Sequence, residues 1–136
     1  MTEASRGVRS VVRFRTADGE FAVDVDHARE VRTTVGMLPI PSPGPHVVGF
    51  LPHGEGTITV VAPLGAGRDR VLVLDPDGVP FGLHVVDVSG VVAVDEATLQ
   101  PPPAGQTGDL VSGVISGDGG VVLLVDARAV ARTLLP

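Results

Sequence analysis

Residues 70–88 read RVLVLDPDGVPFGLHVVDV. Two runs rich in valine and leucine, 70–75 and 81–88, flank a segment whose proline, aspartate and glycine residues favour a turn. Short apolar runs bounded by turn residues are typical of buried strands. The segment therefore predicts a buried β-hairpin, and nothing in it resembles a catalytic centre.

The composition indicates a small β protein. The chain has 136 residues, of which 43% are hydrophobic, and this is enough for one domain or two small subdomains with a core. That core must consist largely of valine and leucine, because the sequence has no tryptophan, no tyrosine and four phenylalanines. Since β-branched side chains favour strands over helices, we expect a mainly β fold.

Charge and residue usage argue against several classes of function. The net charge of −6 disfavours nucleic acid and anionic membranes as partners. The lack of cysteine excludes disulfides, thiolate metal sites and thiol nucleophiles. The first residues lack the apolar segment of a secretory signal, and no apolar run reaches the roughly 20 residues that span a bilayer. We therefore expect a cytoplasmic protein without membrane insertion.

Further strands are predicted on both sides of the central hairpin from alternating apolar residues and intervening turn residues. Asp126 is a plausible N-cap for a short helix at 127–135. The charged segment 26–32 allows either one turn of helix or an irregular strand entry. Apart from the hairpin at 70–88, the predicted strands cover 12–15, 21–25, 47–51, 57–62, 90–94, 110–116 and 121–125.

Prolines divide the chain into two halves. Those at 39, 41, 43 and 45, and the run 101–103, cannot continue a central strand or a helix, so connectors are expected near 38–46 and 95–109. Many short strands with turns every eight to twelve residues are typical of antiparallel barrels or sandwiches. Two small barrels that share one interface satisfy this spacing, after a flexible amino terminus at 1–8.

The sequence offers no reaction centre with a recognisable pattern. The histidines at 27, 46, 53 and 84 lack the spacing of a metal pair, and the glycine-rich segment 65–68 lacks the Lys-Ser/Thr of a phosphate loop. No serine lies in a Gly-x-Ser-x-Gly setting. We predict no catalytic, metal-binding or cofactor-binding residues, no cofactor, no small-molecule substrate and no enzyme activity. A small β-barrel ligand-binding protein or enzyme is the alternative from another class.

The order of the motifs resembles the CheW-like family of chemotaxis coupling proteins. FAVDV at 21–25, REV at 29–31, LP at 38–39 and HVVGFL at 46–51 are similar to the opening half of the family. GTITVVAPL at 56–64 resembles its Gly-x-Val-x-Pro-Val-x-Asp-Leu strand, and FGLHV at 81–85 its Val-Gly-Leu-x-Val strand. Residues 99–103 and 110–124 resemble its Leu-x-Pro-x-Pro segment and its final Ile-x-Gly hairpin. The resemblance covers roughly residues 9–135, which we take as one domain.

This resemblance implies a fold and a function. The fold would be two five-stranded antiparallel, SH3-like β-barrel subdomains packed together, with a short C-terminal helix. The function would be that of a noncatalytic signalling adaptor that links a chemoreceptor cytoplasmic tip to a histidine kinase regulatory domain of the same fold. In such a protein, Ala28 and Glu30 would line a receptor-facing groove, and Gly49 would allow close approach of a backbone.

Apolar residues next to turns are further candidates for protein contacts. They are Phe50, Leu51 and Phe81, of which Phe81 is preferred because Pro80 and Gly82 place it at the start of a strand. With the groove residues above and the turn residues Glu55 and Gly56 described below, the candidate protein-binding residues are Ala28, Glu30, Gly49, Glu55, Gly56 and Phe81.

Three positions depart from the family pattern. The family has an Asn-Leu-Arg-Gly motif before its fourth strand, with the Arg in the receptor-binding region, whereas Glu55 precedes Gly56 here. A carboxylate at this position would repel an acidic group on a receptor. Pro63 stands where the family has an aspartate. Val86 stands at a second such position unless Asp87 is displaced by one residue, which would turn its side chain to the other face of the strand. The alternative within the family is therefore a divergent CheW-like binding module of a non-motility signalling system.

Overall fold

The described part of the chain is mainly β structure. A computed structural model of the protein describes residues 7–40, 46–102, 108–117 and 119–135. Single 3-10 turns occupy Val25–His27, Glu96–Thr98 and Gly108–Leu110. The prediction of a mainly β chain with a short carboxy-terminal helix is confirmed. The elements are β1 Val8–Thr16, β2 Gly19–Asp24, β3 Ala28–Thr33, β4 Leu38–Pro39, β5 Val47–His53, β6 Gly56–Val61, β7 Arg70–Leu74, β8 Phe81–Val85, β9 Asp87–Asp95, β10 Val111–Gly117, β11 Gly120–Val125 and α1 Ala127–Leu134.

Within the described residues the strands form two sheets. Sheet A has the order β10-β11-β2-β1-β9, and sheet B has the order β3-β7-β8-β6-β5-β4. Most neighbours are antiparallel, as expected, but β11 runs parallel to β2 and β6 runs parallel to β8. Sheet B also has a sixth strand, the two-residue β4. The expectation of two five-stranded antiparallel units is therefore corrected in two details, the parallel pairs and the sixth strand of sheet B. Parallel partners come from distant parts of the chain, so no turn residues in the sequence mark them.

Sheet A curls toward closure. Gln100 follows β9, one edge of the sheet, and exchanges two backbone hydrogen bonds of 2.9 Å with Val114 on β10, the opposite edge. Among the residues that the structure describes, no continuous ladder joins the two edges of either sheet. Closure into barrels therefore stays a prediction.

The central hairpin predicted from residues 70–88 is present. β7 and β8 pair antiparallel, with Leu74 opposite Phe81. The amide of Gly78, whose φ is 89°, donates to Asp75 Oδ1 at 2.6 Å and closes the turn. After the exposed Arg70, every side chain of β7 is buried, as is typical of a strand covered on both faces.

Some element ends differ from the sequence-based expectation. Asp87 and Val88, assigned to the second strand of the hairpin, belong to β9 and pair with β1 in sheet A. Val8, assigned to the flexible amino terminus, pairs with Asp95; residues 1–6 lie outside the described part. Segment 26–32 combines both alternatives, since a 3-10 turn leads directly into β3. The connector prolines at 41, 43 and 45 also lie outside the described residues.

Alternation along the strands distributes the buried side chains among three clusters in the described residues. One cluster belongs to sheet A and contains Val11 and Ala22, and another belongs to sheet B and contains Leu51 and Val71. The third, here called the shared core, draws on both sheets and on α1. Its members are Val12, Phe14, Phe21, Val23, Val61, Leu64, Leu72, Leu74, Phe81, Leu83, Val85, Val125, Ala127 and Val130.

A buried hydroxyl links the two sheets at the end of β1. Thr16 donates from Oγ1 to the carbonyl of Leu64 at 2.8 Å, and the same oxygen accepts from the amide of Asp18 at 3.1 Å. Leu64 belongs to the loop after β6 of sheet B. Because both partners are in place, the buried hydroxyl carries little desolvation penalty.

Helix α1 packs on the shared core. Asp126 caps it as predicted, since its Oδ1 accepts from the amide of Ala129 at 3.1 Å. Ala127 and Val130 are buried in the shared core, while Arg128 forms an exposed ion pair of 3.0 Å with Asp77 in the β7–β8 turn. The apolar face of the helix, rather than its length, therefore holds it in place.

Candidate protein-binding surfaces

A groove of about 350 Å³ lies between an edge of sheet A and an edge of sheet B. Its base includes Val12 and Leu72 of the shared core. The lining is apolar except for Arg29 and Glu30. We call this surface the inter-sheet groove; its walls are Ala28, Glu30 and Val31 of β3 and Val88, Gly90 and Val91 of β9.

A β-bulge in β3 sets the positions of the two charged side chains of the inter-sheet groove. The register with β7 shifts between Ala28 and Glu30, so Arg29 is the extra residue. Arg29 donates from Nη1 to the carbonyl of Asp26 at 3.3 Å, and its Nε lies 3.9 Å from Asp75 Oδ2. The guanidinium is thus held by groups that precede β3 and follow β7.

Glu30 is held from a different direction. Its Oε2 lies 3.5 Å from Nε2 of His53, the last residue of β5. His53 pairs with Gly56, and Gly54 and Glu55 form the turn between them. The exposed turn with Glu55 therefore lies at the Glu30 end of the inter-sheet groove. The fold brings four of the predicted residues into this region, namely Ala28, Glu30, Glu55 and Gly56.

A backbone segment of the chain itself approaches Gly49 closely. Gly49 is buried in β5 opposite Pro39 of β4, and a Cβ at this position would overlap the carbonyl oxygen of Leu38. The nearest atoms that such a Cβ would meet belong to Leu38 of β4 and to Met37, which precedes it. The absence of a side chain lets this short edge strand sit against β5.

Phe81 and Leu51 contribute to the interior. Each is fully buried, Phe81 in the shared core and Leu51 in the cluster of sheet B. Pro80 and Gly82 correctly mark the start of a strand, but β8 lies between β7 and β6, where both faces are covered. Neither side chain is accessible to a partner in this structure, because both are shielded from solvent. Phe81 is therefore better explained as a core residue.

An exposed apolar patch lies at the opposite edge of sheet B. Leu38 of β4 and Phe50 of β5 are directly paired, and they are 57% and 39% exposed. We call this pair the edge patch. Phe50 was a candidate from the sequence, while Leu38 was not singled out. Alternation along β5 buries Leu51 and turns Phe50 outward, and this pattern is visible in the sequence. Leu38 was missed because its strand, β4, has only two residues and leaves no alternating pattern.

The positions that depart from the family pattern have ordinary structural roles. Val86 joins β8 to β9, and its amide donates to the carbonyl of Arg15 at 2.8 Å. The next residue, Asp87, forms an exposed ion pair of 2.8 Å with the side chain of Arg15. Pro63 lies in the loop after β6, next to the carbonyl that Thr16 uses.

The histidines do not converge on a reaction centre. Nε2 of His84 lies 2.9 Å from the carbonyl oxygen of Arg68, and His53 contacts Glu30. Over the described ranges, no group of three or more His, Asp or Glu side chains is placed to hold a metal ion. In the same ranges, no helix has the length and apolar character needed to cross a membrane.

Comparison with known proteins identifies similar sequences and folds. A family model described as the CheW-like domain matches residues 10–134. The chemotaxis protein CheW of Rhizobium meliloti (strain 1021) is 27% identical over 151 aligned positions, which cover 96% of this chain and 94% of that protein. The crystal structure of the scaffolding protein TtCheW from Thermoanaerobacter tengcongensis has a similar fold, with a TM-score of 0.75, 23% identity, and coverage of 87% of this chain and 88% of that chain.

Proposed function

The chain belongs to the CheW-like domain family, and on this premise we propose that it couples a chemoreceptor cytoplasmic tip to the regulatory domain of a histidine kinase. Proteins of this family are noncatalytic adaptors of chemotaxis signalling, so the chain is an adaptor and not an enzyme.

The observation that carries this proposal is the presence of two exposed apolar surfaces that share no residue. One is the inter-sheet groove between β3 and β9, and the other is the edge patch on β4 and β5. An adaptor has to hold two proteins at the same time, and each contact needs an apolar centre that can be removed from water. A protein with one partner would need only one such surface.

We assign the inter-sheet groove to the receptor tip. Val31 is 47% exposed and stands opposite Val88 and Val91 of β9, so a partner side chain inserted here would gain apolar contacts on two sides. Arg29 and Glu30 form a polar rim, which sets orientation more than affinity. The family resemblance assigns Ala28, Glu30 and Gly49 to receptor contact, and the first two of these line this groove.

We assign the edge patch to the kinase regulatory domain. Leu38 and Phe50 are paired on the outward face of two strands, which suits the surface of another β domain better than a narrow segment. Gly49 supports this surface, because its lack of a side chain allows β4 to pack against β5. The regulatory domain of the kinase is expected to have the same fold as this chain.

A double dissociation tests the proposal. Val31→Glu places a charge in the groove and Phe50→Glu places one in the edge patch, while Val79→Glu, at a valine 63% exposed in the β7–β8 turn, is the matched control. Binding to a purified receptor-tip fragment and to the kinase regulatory domain, both from the same cell, is measured by calorimetry. Val31→Glu should weaken receptor binding at least about tenfold without affecting kinase binding, and Phe50→Glu should do the reverse.

Loss of both partners in both variants, or of neither, would contradict the assignment of two surfaces. The control should bind like the wild type, and circular dichroism should show that all three variants are folded.

Glu55 favours a second candidate function, a divergent CheW-like module outside motility. It occupies the exposed turn beside the groove, where the family resemblance expects an arginine. A wild-type chain that binds neither the receptor tip nor the kinase domain would favour this second candidate.

A further inference from the structure

The Glu30 end of the inter-sheet groove is acidic. Glu30 lines the groove with a carboxylate that is 47% exposed, and the exposed Glu55 lies in the adjacent β5–β6 turn. Arg29, the basic residue of the groove, is directed to the carbonyl of Asp26 and to Asp75 instead. The described basic group that contacts Glu30 is the imidazole of His53 at 3.5 Å, which is neutral unless protonated.

We propose that the partner segment in the groove carries a basic side chain that pairs with the carboxylate of Glu30. The inference rests on the proposed function, because it takes the receptor tip as the occupant of the groove. It adds the charge that the occupant needs at this end.

Charge complementarity selects a basic partner group over an acidic or a neutral one. An acidic side chain here would face Glu30 and Glu55 in a chain that already carries a net charge of −6. A neutral one would leave the Glu30 carboxylate partly desolvated by the partner without compensation, which is unfavourable. A lysine or arginine would form a charge-assisted hydrogen bond at the edge of an apolar contact.

The other charged groups on the elements that meet at Glu30 are Arg29 and Arg32 on β3, Glu55 in the β5–β6 turn, and Arg70 and Asp75 at the two ends of β7.

The test measures binding of a receptor-tip fragment from the same cell by calorimetry at pH 7.5 and at low ionic strength. Glu30→Gln should weaken binding about threefold to fivefold, which is the size of one exposed ion pair.

Glu20→Gln is the matched control. Glu20 is 46% exposed and also has a basic neighbour, Arg13 at 2.7 Å, but it lies on sheet A outside the groove. Its removal should leave the affinity unchanged. If Glu30→Gln binds as tightly as the wild type, the inference is overturned while the proposed function stands. If the wild type binds no receptor tip, both are overturned.

Discussion

His53 on β5 lies 3.5 Å from Glu30 on β3, although β6, β8 and β7 stand between their strands in sheet B. Four strand spacings in a flat sheet would separate these strands by about 19 Å. Sheet B therefore curls strongly, and the curl brings the β5–β6 turn to the inter-sheet groove. A contact between residues at distant sheet positions thus shapes one end of the candidate binding site.

Gly49→Ala should destabilise the protein, because the new methyl group would overlap the carbonyl oxygen of Leu38 and push β4 from β5. We expect a loss of about 1–3 kcal/mol in the free energy of unfolding, measured by urea denaturation. Gly56→Ala is the control, since a Cβ there has no described neighbour within 4 Å. Equal losses for both variants would show that the contact with β4 is unimportant.

Phe81→Ala should cost about 3–5 kcal/mol of unfolding free energy, because the ring is fully buried in the shared core. Phe50→Ala should cost much less, since Phe50 is 39% exposed at the edge patch. Chemical denaturation of the two variants side by side measures the difference. A small loss for Phe81→Ala would indicate that this side chain belongs to a surface after all.

Thr16→Val keeps the shape of the side chain but removes the hydroxyl that joins sheet A to the loop after β6. The carbonyl of Leu64 and the amide of Asp18 would lose a partner, which should cost about 1–3 kcal/mol. Thr57→Val, at an exposed position of β6, should stay within about 0.5 kcal/mol of the wild type. Thermal unfolding of both variants measures the effect, and a neutral Thr16→Val would argue against this link.

Asp126→Ala removes the N-cap of α1 and should lower the unfolding free energy by about 1 kcal/mol. Asp77→Ala removes the exposed ion pair with Arg128 of the same helix, and it should change stability by no more than a few tenths of a kcal/mol. Denaturant titration distinguishes the two contacts. A larger loss for Asp77→Ala would reverse their ranking.

Local sequence patterns predicted the hairpins well. The β7–β8 hairpin follows from two apolar runs around Asp75 and Gly78, and the cap at Asp126 follows from its place before a helical segment. Such features depend on neighbouring residues, which is why composition and spacing suffice for them. The proline connectors and the strand spacing supplied the expectation of two subdomains, which the family resemblance also implied and which the two sheets fit.

Features that join distant residues were outside the reach of these patterns. The parallel pairs of β6 with β8 and of β2 with β11 depend on how the chain returns to a sheet. The contact of His53 with Glu30 depends on the curl of sheet B. Phe81 shows the same difficulty within one strand, because a turn-flanked aromatic residue has the same pattern whether its strand is central or at an edge.

The shared core has a consequence for the way in which the protein loses its structure. Its side chains come from β1, β2 and β11 of sheet A, from β6, β7 and β8 of sheet B, and from α1. Neither sheet can melt alone without exposing the apolar face of the other to water, so partly unfolded forms are costly. The two halves should behave as one cooperative unit, with a single calorimetric transition whose measured and van't Hoff enthalpies agree.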